Sequence, residues 1–216
     1  MKISIGITTT PNRKEIFEQS YKQWVKYLPE DAVLFTHNDI NYDGIAKAKN
    51  VCVRACHDAD FVFIVDDDCY PIKENWHLPY IESGLNHAMY IFDRELILTA
   101  CDIDLNLESG WYQAFNLPRG CMLFFTRRCI KTAGGFDERF TGWGYEHAEL
   151  SRRIYNMGLT PDPYIDIPYS KGLFYSHDEH GTCESSVSNI DRMRGIQANQ
   201  GLFNELKDSK EFKPFK

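Results

Sequence analysis

The stretch FVFIVDDDCYP, residues 61–71, drives five apolar residues straight into three consecutive aspartates and closes on a proline. Five apolar side chains without polar alternation describe a strand covered on both faces, as in a parallel sheet lying between helices. The preceding residues agree with that reading. ISIGITT reads as a strand, Lys14 to about Tyr27 as a helix ended by Pro29, VLFTH as a second strand and GIAKAKNVCVRAC as a second helix. This β-α-β-α-β order predicts a single α/β domain with a mostly parallel central sheet flanked by helices, whose ligands bind beyond the carboxyl ends of the strands. The aspartates stand at such an end.

In extended chain, alternation puts Asp66 and Asp68 on one side and Asp67 on the other. Two carboxylates on one face are hard oxygen ligands for a divalent cation such as Mg²⁺ or Mn²⁺, which leaves coordination positions open for phosphates. The competing reading is a turn in which one Asp caps a backbone amide and the others face water. Adjacent like charges repel, and a cation would relieve that repulsion.

With 216 residues, 43% hydrophobic and 14% aromatic, the chain can bury the core of one domain. We divide it into a ligand-binding half over 1–75, a second half over 76–205 and a polar tail over 206–216. A net charge of −7 supplies no overall attraction for nucleic acid or an anionic membrane. No apolar run approaches the ~18 residues of a membrane span, and MKISIGITTT lacks the features of a secretory signal, so a soluble, cytoplasmic protein is the expectation. The seven cysteines form no C-x-x-C pair and read as reduced, packed thiols.

ITTTPNR, GIAKAKNVCVRAC and FVFIVDDDCYP together resemble the nucleotide-binding half of a glycosyltransferase of the GT-A fold, family 2-like, with Asp66-Asp67-Asp68 in the place of its D-x-D motif. A second block, GGFDERFTGWGYEHAELSRRIYNMG, is similar to the acceptor-side segment shared by galactosyltransferases and polypeptide GalNAc-transferases. The resemblance implies sugar transfer from a nucleotide-diphosphate donor, usually UDP-linked. It also implies a divalent metal bridging the diphosphate to the last Asp of the motif, with the first Asp facing the ribose. A histidine late in the chain is commonly a third metal ligand; His177 and His180 of FYSHDEHG are available, and His177 is preferred. The metal set is then Asp66, Asp68 and His177, with Mn²⁺ or Mg²⁺ as cofactor.

The residues after the first strand suit a nucleotide in their own right. Thr8, Thr9, Thr10, Asn12 and Arg13 offer hydroxyls, an amide and a guanidinium, although Thr10 and Pro11 also read as an ordinary helix start. Asn38 and Asp39 end the second strand similarly. Ile45, Ala48, Cys52 and Ala55 form a helical apolar stripe that leaves Lys49 and Asn50 beside it; Lys49 meets either the donor or solvent. In the second block, Leu150, Ile154 and Met157 form a stripe, Glu149 and Arg153 an i,i+4 pair outside it, and Gly158 a C-terminal cap. Trp143 offers an aromatic face beside Gly144, or is plain core.

At the mouth of that helix stand Glu146 and His147, where the inverting galactosyltransferases have Glu-Asp and use the Asp as base, and the retaining GalNAc-transferases have Glu-Asn. Glu146, raised by burial, is the expected base and His147 an orienting group. Trp76, Trp111 and Tyr112 fall where acceptor loops of this fold lie. The acceptor class stays open among glycan, protein, small molecule and modified nucleic acid. Arg127, Arg128, Lys131, Arg152, Arg153, Arg192 and Arg194 are either phosphate contacts or solvated faces. Two other readings compete: a catalytically silent nucleotide-sugar-binding module, and a sugar nucleotidyltransferase, for which TTTPNRKE lacks the glycine-rich loop.

Overall fold

The structure is a computed structural model describing residues 1–92, 97–99, 112–182 and 187–215. Its central sheet contains β1 (Ile3–Thr9), β2 (Ala32–Asn38), β3 (Phe61–Asp66), β5 (His87–Met89) and β8 (Met122–Thr126), in the order β2-β1-β3-β8-β5. β1 runs parallel to both β2 and β3, β8 is antiparallel to β3, and β5 is antiparallel to β8. Four of the five strands therefore point the same way, giving the expected mixed, mostly parallel sheet. β1 and the centre of β3 are buried on both faces, as their unbroken apolar runs require, whereas β2 at the sheet edge is half-exposed.

Helices α1 (Lys14–Lys26), α2 (Ile45–Cys56), α4 (Arg127–Ala133) and α5 (Glu146–Asn156) follow the strands, with the short α3 (Leu78–Glu82) between β3 and β5. A ribbon of β4 (Cys69–Pro71) and β10 (Phe174–Ser176) continues from the acidic turn into α6 (His177–His180). A small three-stranded sheet joins β6 (Ile97–Thr99), β7 (Gln113–Phe115) and β9 (Ile165–Asp166), and α7 (Asn189–Leu206) closes the chain. The core divides around the sheet. On one face Trp24, Phe63, Trp76, Tyr80 and Phe174 interlock; on the other Cys52, Val62, Ile64, Leu123 and Ile154 pack beneath α2, α4 and α5.

Several expectations change. Trp76 is wholly buried and donates to the Tyr27 carbonyl at 3.0 Å, so it is core and not a binding loop. Tyr112 is partly buried against the same core, and Trp111 lies outside the described residues. The α2 stripe passes to Cys56 and leaves Ala55 exposed, while Lys49 and Asn50 are fully buried. Glu149 and Arg153 are also wholly buried: they pair at 2.8 Å, and Arg153 donates to the Ala133 and Gly135 carbonyls. Such a pair is tolerable in the interior because the remaining guanidinium donors are satisfied. Thr10 makes no side-chain cap; the residues after it form a 3-10 turn, Pro11–Arg13. The tail is held in place, with Gly135 N–H bonded to the Lys213 carbonyl at 2.8 Å and Phe215 against His57. A Cβ at Gly134, where φ is +80°, would lie 1.9 Å from that carbonyl oxygen, so the tail docks only on glycine. The described cysteines, Cys52, Cys56, Cys69, Cys121 and Cys129, are free and buried; Cys101 and Cys183 lie outside the described residues.

His87 sits in the core, its Nδ1 2.8 Å from the Phe124 carbonyl and its Nε2 2.8 Å from Ser151 Oγ. Burial lowers its pKa from 6.5 to about 4. The unfolded chain takes this proton at higher pH than the native one, so stability is intact above 6.5 and is lost as pH falls toward 4. That loss should reach about 3 kcal/mol. Urea unfolding between pH 7 and pH 4 should show it, and the non-titrating His87→Gln should have a flatter slope over the same interval.

Candidate active site

The carboxyl ends of β1 and β3 lie side by side, with Thr8 in register with Asp66. β3 ends at Asp66, and Asp67 and Asp68 form a turn into β4. The alternation expected of extended chain therefore does not apply beyond Asp66. Asp67 and Asp68 instead share one partner: Arg13 Nε is 2.8 Å from Asp67 Oδ1, and its Nη2 is 2.7 Å from Asp68 Oδ2. Asp67 Oδ2 also accepts from Thr9 Oγ1 at 2.6 Å, which makes this buried carboxylate an anchor between β1 and β3.

Asp66 has a separate counter-ion. Lys49 Nζ reaches its Oδ1 at 3.0 Å and donates to the Gly120 carbonyl at 2.8 Å. Thr8 Oγ1 adds a 3.3 Å bond to the same carboxylate. Lys49 is thus the buried partner of Asp66, and the solvated alternative is excluded. Burial raises the pKa of all three aspartates, neighbouring carboxylates add to the rise for each, and Lys49 or Arg13 only partly opposes it.

Among the rest of the donor-side set, Thr10 Oγ1 donates to Asn12 Oδ1 at 2.7 Å on the exposed shoulder of the 3-10 turn. Asn38 is exposed at the end of β2, while the Asp39 carboxylate accepts from the Asp43 and Gly44 amides and shapes the loop into α2. β4 and β10 bring His177 to the acidic turn, where its N–H bonds the Asp68 carbonyl at 2.9 Å. His177 Nδ1 meets Thr182 Oγ1 at 2.8 Å, but its buried Nε2 has no hydrogen-bond partner. A buried nitrogen without a partner is costly unless something else binds it. His180 is exposed and stacks on Tyr175 with ring centres 4.5 Å apart. Among the described residues no group of three or more His, Cys, Asp or Glu is placed to hold a metal ion, so the expected set of Asp66, Asp68 and His177 is not gathered as a site in this conformation.

Glu146 and His147 open α5, as expected, behind Tyr145 in a left-handed conformation with φ 72°. Glu146 is buried, and His147 Nδ1 lies 2.9 Å from its Oε1. Burial alone would raise the carboxyl, but His147, its hydrogen bond and Lys49 outweigh that, and the pKa falls to about 2. This reverses the expectation of a base tuned upward: Glu146 is a firmly ionised carboxylate that orients the imidazole. Gly120 explains why the ring fits, since a Cβ there would come within 2.9 Å of His147 Nδ1.

The loop before α5 is pinned from α7. Asn199 Nδ2 lies 3.0, 3.2 and 2.9 Å from the carbonyls of Thr141, Trp143 and Gly144, and a Cβ at Gly144 would strike Ile196. Trp143 is half-buried with Arg192 5.8 Å above its ring. Two of the basic residues are engaged elsewhere, Arg153 buried with Glu149 and Arg127 paired with Asp60 at 3.1 Å, while Arg128, Lys131 and Arg194 are exposed. Gly120 and Asn199 carry no signal of their role in the sequence, because each acts through a partner distant along the chain.

The architecture and this placement of acids define the GT-A glycosyltransferase-like fold. Residues 106–177 match the family described as the N-terminal domain of galactosyltransferase. The structure is similar to that of GalNAc-T7 with UDP, GalNAc and Mn2+, with a TM-score of 0.58 at 11% identity, over 96% of this chain and 50% of that one. It is also similar to S. aureus TarS, with a TM-score of 0.54 at 14% identity, over 97% of this chain and 41% of that one. The chain therefore spans half or less of those proteins. Comparison with curated protein sequences gives no match.

Replacing Lys49 by Met tests its counter-ion role. Because it would strand Asp66 and the Gly120 carbonyl, it should cost about 3 kcal/mol in denaturant unfolding, against under about 0.5 kcal/mol for a solvated surface lysine.

Proposed function

We propose that the chain transfers a sugar from a nucleotide-diphosphate donor, with UDP as the nucleotide, to an acceptor hydroxyl, and that a divalent Mn²⁺ or Mg²⁺ ion takes part. The observation that carries this reading is the run of three aspartates at the carboxyl ends of β1 and β3, with His177 tied by its backbone N–H to the Asp68 carbonyl and its buried Nε2 without a partner. Carboxylate oxygens and one imidazole nitrogen are a donor set suited to such an ion. Asp68 and His177 would hold it, with Asp66 alongside. When bound, the ion neutralises charge developing on the leaving diphosphate. The UDP and Mn2+ of the GalNAc-T7 structure support the same choice.

In this reading Thr8, Thr10, Asn12 and Asn38 contact the nucleotide, and Trp143 with Gly144 faces the sugar and the acceptor. The acceptor oxygen attacks the anomeric carbon while the bond from that carbon to the phosphate oxygen breaks. The electron pair departs with the nucleotide diphosphate, and the hydroxyl proton passes to His147 Nε2. Glu146 holds Nδ1–H and so keeps Nε2 as the proton-accepting nitrogen, the division of labour between a carboxylate and an imidazole seen in hydrolytic triads. A single displacement of this kind inverts the anomeric carbon.

Calorimetry with UDP tests the metal. Binding should require Mn²⁺, be lost in EDTA and be lost in Asp68→Ala, with the fold retained. His177→Ala should weaken Mn²⁺ binding about 10- to 100-fold, and His180→Ala should leave it unchanged. UDP binding that ignores EDTA, together with an active Asp68→Ala protein, would sink the assignment.

A screen of UDP-sugars for hydrolysis separates an enzyme from a silent binding module and supplies the assay for the base. His147→Asn should reduce turnover at least about 100-fold with little change in UDP affinity. Glu146→Gln should cost less, because the amide oxygen still accepts from Nδ1–H. Retention of anomeric configuration by NMR would remove the base role from His147.

A further inference from the structure

Arg13 belongs to the one-turn 3-10 segment that follows β1 directly, and its side chain is buried. Its contact with Asp67 has a folding rationale, since that buried carboxylate ties β1 to β3 and needs a counter-charge. Its contact with Asp68 does not follow from that need. Nη2 lies 2.8 Å from Asp67 Oδ1 and 2.7 Å from Asp68 Oδ2, so that one planar cation spans both carboxylates of the turn. Asp68 is the carboxylate linked through its own carbonyl to His177, whose buried Nε2 has no partner. Positive charge on that Asp68 oxygen therefore comes from within the chain.

We propose that Arg13 is an internal counter-cation for the acidic turn, and that its bond to Asp68 and a divalent cation on Asp68 exclude one another. This inference rests on the metal-dependent reading above. A divalent ion on Asp68 repels a guanidinium held against the same carboxylate, so cation binding breaks the Arg13–Asp68 bond while the Arg13–Asp67 bond persists as a pivot. The Nη2 N–H released from Asp68 then stands at the carboxyl end of β1 as a donor for a phosphate oxygen, while Nη2 stays against Asp67. Arg13 thus trades one oxyanion for another: a carboxylate in the empty site, the diphosphate of the donor in the loaded one.

The test is Mn²⁺ titration of the whole chain by calorimetry, first alone and then with UDP, for the native protein, Arg13→Met and Arg13→Lys. Without nucleotide, Arg13→Met should bind Mn²⁺ about 10-fold or more tightly than the native protein. With Mn²⁺ saturating, its UDP affinity should fall by about 10-fold. Adding Asp68→Asn to Arg13→Met should abolish the gain in Mn²⁺ affinity. Arg13→Lys keeps a charge for Asp67 but cannot fork across both carboxylates, so it carries the same test if the Met variant fails to fold. Equal or weaker Mn²⁺ binding in the folded variants overturns the inference, as does tighter Mn²⁺ binding with undiminished UDP affinity, or a gain that survives Asp68→Asn. If Mn²⁺ has no effect on UDP binding by the native protein, the metal reading itself fails. Unchanged Mn²⁺ affinity in the variants, alongside Mn²⁺-dependent UDP binding, defeats the Arg13 inference alone.

Discussion

Two buried cations at the carboxyl end of the sheet hold the site together. Arg13 arrives from the turn after β1 and Lys49 from the middle of α2, and between them they meet Asp66, Asp67 and Asp68. Three adjacent carboxylates, one buried and two partly buried, would otherwise repel one another where water screens them weakly. The consequences spread through backbone groups. Lys49 also binds the Gly120 carbonyl, Gly120 leaves the space in which His147 lies, and His147 bonds Glu146, whose ionisation Lys49 in turn favours. The ligand end of the sheet and the mouth of α5 are therefore one electrostatic unit, not two neighbouring sites.

This explains which parts of the molecule were legible in the sequence. The strands under the site announce themselves because FVFIV and ISIGITT are covered on both faces, and such burial leaves no room for polar alternation. Helix α5 ends where expected because Gly158 adopts a φ of +73° that other residues avoid. These features are local, so the chain records them locally. The fate of the charges is not local. Glu149 and Arg153 have the spacing of a solvated helical pair, yet they are buried because the carbonyls of Ala133 and Gly135, at the end of α4, accept the guanidinium. Lys49 looks like any surface lysine until β8 brings Gly120 beside it. Spacing along one helix cannot report what a second element will offer.

Similar logic applies to the supports that the sequence does not advertise. Asn199 sits in α7, a helix with exposed Ile190 and Met193 and no clear apolar face, and nothing nearby marks it as special. Its amide nevertheless gathers three carbonyls of the loop that carries Trp143, while Gly195 lets the helix backbone approach that loop closely. Further along, the tail docks across Gly134 and Gly135, one residue short of Phe136, whose backbone Asn50 holds from α2. The second half of the chain thus fixes the loops of the site from behind, through backbone carbonyls and amides whose positions follow from the fold.

The histidine at position 147 can be understood in these terms. A carboxylate there would place a second negative charge close to Glu146, whose neighbouring cation, Lys49, is already engaged by Asp66. In so dry a position that crowding would force one of the two acids to take up a proton. An imidazole avoids the conflict: Nδ1 donates to Glu146 and satisfies its buried charge, and the ring packs against Gly120 where a longer side chain at that position would collide. The departure from a Glu-Asp pair is therefore coupled to the buried lysine. Where a lysine serves the acid at the end of β3, the residue after Glu146 is better placed as a donor to that carboxylate than as a second carboxylate competing for the same positive charge.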